Sequence, residues 1–170
     1  GCVSGPEQTV EWKIGSVFKA DPTLALREVQ KVNNDYGGEP PDGALVEHAR
    51  DVNSVLHNDF EWDDTIAAHK QRVETEKKIK RSLVYVCRRE SDQPEEAKVV
   101  RVFSNVKRTD EDGYTTRFYL NTVDAMKDPV YREQIIANAQ RELQQFHNKY
   151  HSLLELADVL DPIKKRLDIG

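Results

Sequence analysis

A chain of 170 residues with 25 basic and 30 acidic side chains, a formal net charge of -5 and 38% hydrophobic residues has the length of one domain, or of a domain with an appendage. The acidic balance argues against a general nucleic-acid binder, whose affinity grows with the phosphates its cations neutralise, and leaves room only for a local basic patch. No apolar run reaches the length of a membrane span and no basic-then-apolar leader opens the chain, so no membrane partner is expected.

In chain order, residues 1–8 read as an irregular lead-in, and Val10, Trp12 and Ile14 alternate on one face of a short strand that Gly15 breaks. Asp21-Pro22 is a helix start, the aspartate as cap and the proline at the first helical position, and Leu24, Leu26, Val29 and Val32 form the stripe that follows. The breakers between Gly37 and Gly43 lead into a second helix from about Asp42 to Ala49 or Arg50, with Leu45, Val46 and Ala49 inward. This pair reads as a plain helical hairpin. Its connection is longer than that of a DNA-reading helix-turn-helix, and its neighbours are not basic. Asp51 to Trp62 is an ordered loop pinned by Leu56, Phe60 and Trp62. Asp63 or Asp64 then predicts a helix start, and the helix runs to about Arg81, where Lys77, Lys78, Lys80 and Arg81 suit the negative end of its dipole.

Leu83 to Cys87 is β-branched and aromatic and switches the chain into a strand. Residues 89–97 form a polar connection, Lys98 to Asn105 a second strand, Thr109 to Gly113 a turn and Tyr114 to Leu120 a third strand, giving a three-stranded antiparallel meander that needs a helix over one face. Cys2 and Cys87, the chain's two cysteines, are expected to stay unpaired, as in a reducing cytosol. Asn121 or Thr122 caps a short helix through Met126, and Asp128-Pro129 opens a long one. Along it Ile136, Ala139, Leu143, Phe146, Tyr150, Leu153, Ala157 and Leu160 recur in steps of three and four, the period of a coiled-coil seam and equally of a helix packed within its own chain. Asp161-Pro162 ends the run, and residues 163–170 form a frayed tail or last turn.

Three constellations bear on chemistry. His57, Asp59, Glu61, Asp63 and Asp64 are residues of metal-ligating type within one short stretch, but their spacing matches neither a calcium loop nor a zinc motif, so capping and turn bonding are the expected roles and a metal-dependent nuclease or hydrolase the minor alternative. His147 and His151 stand four apart on one helix side without the glutamate a helical zinc-protease motif carries next to its first histidine. No glycine-rich phosphate loop or nucleophile elbow is present, so neither a catalytic residue nor a cofactor is expected. Lys70, Arg72, Lys77, Lys78, Lys80 and Arg81, followed by Arg88 and Arg89, make the best basic patch, a surface for a phosphate backbone or an acidic protein, with Glu74 and Glu76 partly neutralising it.

Glu47 to Asp64 contains Ser54-Val55-Leu56-His57-Asn58-Asp59-Phe60-Glu61-Trp62-Asp63-Asp64, followed by Ala67-Ala68 and Arg72. This SxLHxxFEWDDxxAA pattern resembles a family of small bacteriophage and prophage proteins of uncharacterised function, with further similarity at Ala139 to Leu143 and at Lys149-Tyr150. The likeness extends from about Val10 to Leu160. It departs from the family at Val55, where a proline is common, and at Gln71, where a tyrosine precedes the arginine. The resemblance implies a viral or mobile-element origin, and hence the cytoplasm of a bacterial host, but no activity.

The expected fold is α+β: an N-terminal helical hairpin, a three-stranded antiparallel sheet and a long C-terminal helix. The expected regions are 1–62, the helices and their loop, and 63–170, with one continuous domain as the alternative. The expected function is a non-catalytic protein that self-associates through Ile136, Leu143, Phe146, Tyr150, Leu153 and Leu160 and engages a protein partner or DNA through the basic patch. A protein-only inhibitor or virion-assembly accessory is the alternative.

Overall fold

Alternating apolar residues and well-formed helix caps account for most of the local structure. The computed structural model describes residues 8–87, 98–153 and 156–169. The chain divides into two units, Gly1–Ala125 and Met126–Gly170, so residues 62 and 63 both lie inside the first. In that unit β1 (Gln8–Trp12) precedes α1 (Pro22–Asp35), α2 (Ala44–Ala49), a 3-10 turn (His57–Asp59) and α3 (His69–Ser82). β2 (Leu83–Cys87), β3 (Lys98–Arg101), β4 (Phe103–Thr109), β5 (Thr115–Asn121) and α4 (Thr122–Ala125) follow.

Asp21 accepts a hydrogen bond from the Leu24 N–H at 3.0 Å with Pro22 in the first turn, as its sequence predicts. Ala25, Val29 and Val32 face inward, while Leu24 is exposed and Leu26 only partly buried. The two N-terminal helices are unequal, 14 and 6 residues, and do not make a clear hairpin. Val10 and Trp12 pack against the core; Ile14, expected on their face, lies beyond the strand and is fully exposed.

A three-stranded antiparallel sheet is present, but its members differ from the expected meander. β2 is central, β1 and β3 flank it, and β4 pairs with β5 in a separate two-stranded sheet. The expected strand from Lys98 to Asn105 is therefore split at Val102. Consecutive Val102 and Phe103 are both buried, which breaks strict alternation. The Val102 N–H donates to the Leu83 carbonyl at 3.2 Å and its carbonyl accepts from Thr122 N–H at 2.8 Å. One residue thereby joins the two sheets.

Cys87 is disulfide-bonded, which corrects the expectation of free thiols. The argument for a reducing compartment from unpaired cysteines accordingly falls. No helix among the described residues is long and apolar enough to cross a membrane.

The second unit holds α5 (Pro129–Tyr150) and α6 (Ala157–Ile169). Asp128 caps α5, accepting from Val130 N–H at 2.9 Å. The long helix expected to reach Leu160 stops at Tyr150, so the seam positions Leu153 and Leu160 are not on α5. Pro162 lies inside α6 instead of ending a helix; at its second turn it removes one backbone bond and the helix continues.

Candidate functional site

The Phe60 to Asp64 motif is a clamp on the fold. Phe60 is buried, and the Trp62 indole donates to the His57 carbonyl at 2.7 Å while its ring stacks on the His57 imidazole at 5.2 Å. His57 Nδ1 lies 2.8 Å from the Ala49 carbonyl, which can only accept, so Nδ1 carries the proton. Guanidinium groups of Arg50 and Arg72 lie 5.2 and 5.4 Å from the centre of the Trp62 ring. Asp59 accepts from the backbone N–H groups of Lys19 and Ala20 at 2.7 and 3.0 Å, fixing the entry to α1. Glu28, on α1, contacts His48 Nε2 at 2.7 Å and accepts from Val55 N–H at 2.9 Å.

Asp63 and Asp64 do not begin α3, contrary to the expected start. Asp63 accepts from the hydroxyl and backbone N–H of Thr65 at 2.7 and 2.9 Å, closing a local turn. Those bonds, the hydroxyl first, hold its carboxyl below the usual carboxylate range. Asp64 reaches Arg72 at 2.5 Å. With both carboxylates engaged, the helix begins at His69, where Gln71 Oε1 accepts from Ala68 N–H at 2.9 Å. Val55 and Gln71 both make bonds: a proline at 55 would lack the N–H that Glu28 receives, and Gln71 supplies the acceptor at the start of α3. Among the described residues no group of three or more His, Cys, Asp or Glu is placed to hold a metal ion.

The cations of α3 divide sharply. Arg72, Glu76, Ile79 and Lys80 form its buried face, an amphipathic spacing filled largely by charge. Arg72 donates through Nε to the Glu61 carbonyl at 2.8 Å. Glu76 accepts from the backbone N–H groups of Gly43 and Leu45 at 2.7 and 3.0 Å, and Lys80 lies 3.3 Å from it. Glu76 thus caps α2 from another element. Gly43 cannot do so, having no side chain; its φ of +93° suits glycine, and a Cβ there would come within 3.2 Å of the His69 ring. Glu76, read from the sequence as part of a solvated face, is instead its buried anion.

Lys77 lies 3.6 Å from Asp42 and 3.7 Å from Glu74. Lys70, Lys78 and Arg81 are exposed, and Arg88 and Arg89 lie outside the described residues. Beside α3 the first unit has a groove of about 960 Å³, with α3 and residues Glu39–Asp42 opposite β5. Lys77, Lys80 and Arg81 line it together with Arg117 from β5. Sequence reading missed Arg117; its place beside Thr115 and Tyr119 on one strand face was visible, but not that α3 would lie across from them.

The proposed seam has mixed burial. None of α5's 22 residues is buried. Leu143 and Phe146 are 37% and 41% exposed, Ile136 and Tyr150 are partly buried, Leu153 is exposed and Leu160 is buried in α6. Phe146 and Tyr150 rings lie 4.9 Å apart, and the His147 and His151 rings stack at 5.9 Å.

No protein-family model matches the chain, and neither a curated protein nor a solved structure matches it.

Proposed function

We propose that this is a non-catalytic, phage-derived binding protein that self-associates through α5 and engages its target through the first unit. The observation that carries the reading is that α5 repeats apolar residues at coiled-coil spacing from Ile136 to Tyr150 while fully burying none of them. In an isolated chain the Leu143 and Phe146 part of that face stays in water; pairing with a second copy removes it. The expected result is a mass above that of the monomer by light scattering at high concentration. Leu143→Glu/Phe146→Glu should return it to a monomer without lowering the melting temperature of the first unit. A wild-type protein that stays monomeric at high concentration overturns the self-association half.

DNA or nucleoprotein is the target first suggested by the basic patch, but a protein target has more support. Arg72 and Lys80 are held by internal partners and Lys77 by two carboxylates, leaving Lys70, Lys78 and Arg81 as the exposed cations of the original group on α3. Three phosphate contacts would give a log–log salt slope of only about -3 on duplex DNA. The expected outcome of a salt titration is weak binding with a slope no steeper than that, abolished by Lys70→Glu/Lys78→Glu/Arg81→Glu. A slope several units steeper would restore DNA as the main target.

A further inference from the structure

The backbone of the β4–β5 hairpin is open along one side of β5 from Thr115 to Arg117. Thr122 N–H bonds to the Val102 carbonyl at one end and Asp110 N–H to the Tyr114 carbonyl at the other. With the register running from Phe103↔Asn121 to Thr109↔Thr115, the hydrogen-bonded pairs are the alternate ones, at Thr116, Phe118 and Leu120 on β5. The N–H and C=O groups of Thr115, Arg117 and Tyr119 therefore point away from β4. An independent contact agrees, since Asn33 Nδ2 donates to the Tyr119 carbonyl at 3.1 Å from that side. No other strand pairs with this edge in the described residues, and it faces the groove beside α3.

The groove carries charges of both signs. Its acidic residues are engaged: Asp42 and Glu74 with Lys77, and Glu39 with Arg108 at 2.7 Å. Arg81 and Arg117 have no ion-pair partner among the described residues and approach from its two walls. A bare strand edge supplies main-chain affinity without side-chain preference; two uncommitted guanidinium groups add a preference for carboxylates.

We propose that the free edge of β5 docks an extended acidic segment of a partner protein, which adds to the hairpin as a third strand and places its carboxylates on Arg81 and Arg117. This inference stands apart from self-association by α5. It differs from phosphate-backbone binding because it requires main-chain N–H and C=O groups at particular positions. Arg117→Pro removes an outward N–H while leaving the bonds to β4 in place, and proline is tolerated on such an edge.

The probe is a fluorescein-labelled peptide of alternating Val and Glu, roughly six residues long, the usual strand length, followed by anisotropy; an otherwise identical Val-Lys peptide is its control. The wild type should bind the Glu peptide and not the Lys peptide. Arg81→Ala and Arg117→Ala should each weaken binding by about tenfold, the scale of one lost charge-assisted bond, and Arg117→Pro should abolish it. Should Arg117→Pro fail to fold, amide hydrogen exchange on the wild type decides the matter: the peptide should slow exchange at Thr115 and Arg117 and leave Thr116 unchanged. Equal binding of both peptides, undiminished binding by folded Arg117→Pro, or unchanged exchange at Thr115 and Arg117 overturns the proposal. So does failure of the Glu peptide to bind while labelled single-stranded DNA binds and loses affinity in Arg81→Ala and Arg117→Ala.

Discussion

Glu76→Ala is expected to destabilise the first unit by about 3–5 kcal/mol, the range for breaking a buried ion pair from one side. Lys80 would remain buried without its anion, and the N–H groups of Gly43 and Leu45 would lose their acceptor at the start of α2. A loss of that size is a large share of ordinary domain stability, so partial unfolding at room temperature is expected. Lys80→Met should cost less, because Glu76 keeps two backbone donors. In a denaturant-titration cycle, Glu76→Gln/Lys80→Met should lose less stability than the sum of its single substitutions, with a coupling of about 1–3 kcal/mol. An effect of Glu76→Ala below about 1 kcal/mol, the usual worth of an exposed pair, would mean that the carboxylate is not the cap of α2.

Arg72→Ala should have the next largest effect, a loss of about 2–4 kcal/mol, from an unsatisfied carbonyl and lost packing over an aromatic ring. Its ion pair with Asp64 contributes little of this, because Asp64 is 86% exposed and water screens it. The larger part comes from the bond to the Glu61 carbonyl and from the stem and guanidinium against Trp62. Arg72→Met keeps the stem and should recover part of the loss, whereas Asp64→Ala should change stability by less than about 1 kcal/mol. If Asp64→Ala matched Arg72→Ala in a urea titration, the clamp would be an ion pair after all. Both effects concern residues in stretches singled out for binding or metal chemistry, and both assign them to the fold.

The reason these assignments were hidden lies in α3. Arg72, Glu76, Ile79 and Lys80 have the spacing of a buried helix face, yet three of the four are charged, and a charged face in sequence reads as solvated. Lys80 finds Glu76 within α3, but the backbone partners of Arg72 and Glu76 lie outside it: the Glu61 carbonyl, Gly43 N–H and Leu45 N–H. Burial of a charge becomes tolerable only when such partners converge, and convergence is a property of the folded chain.

Local signals were legible where one short segment supplies both the residue and its partner. Asp21-Pro22 and Asp128-Pro129 cap their helices within one turn, the switch to strand falls at Leu83, and Gly113 turns β4 into β5 with a φ of +85°. Those choices need only backbone sterics and nearby hydrogen bonds. The tertiary structure alone decided which strands share a sheet, which cations of α3 remain exposed, and that Arg117 would stand across the groove from Arg81. Each of these depends on groups far apart in sequence competing for the same donor, acceptor or buried volume, and the alternation of residue types along the chain does not record the result of that competition.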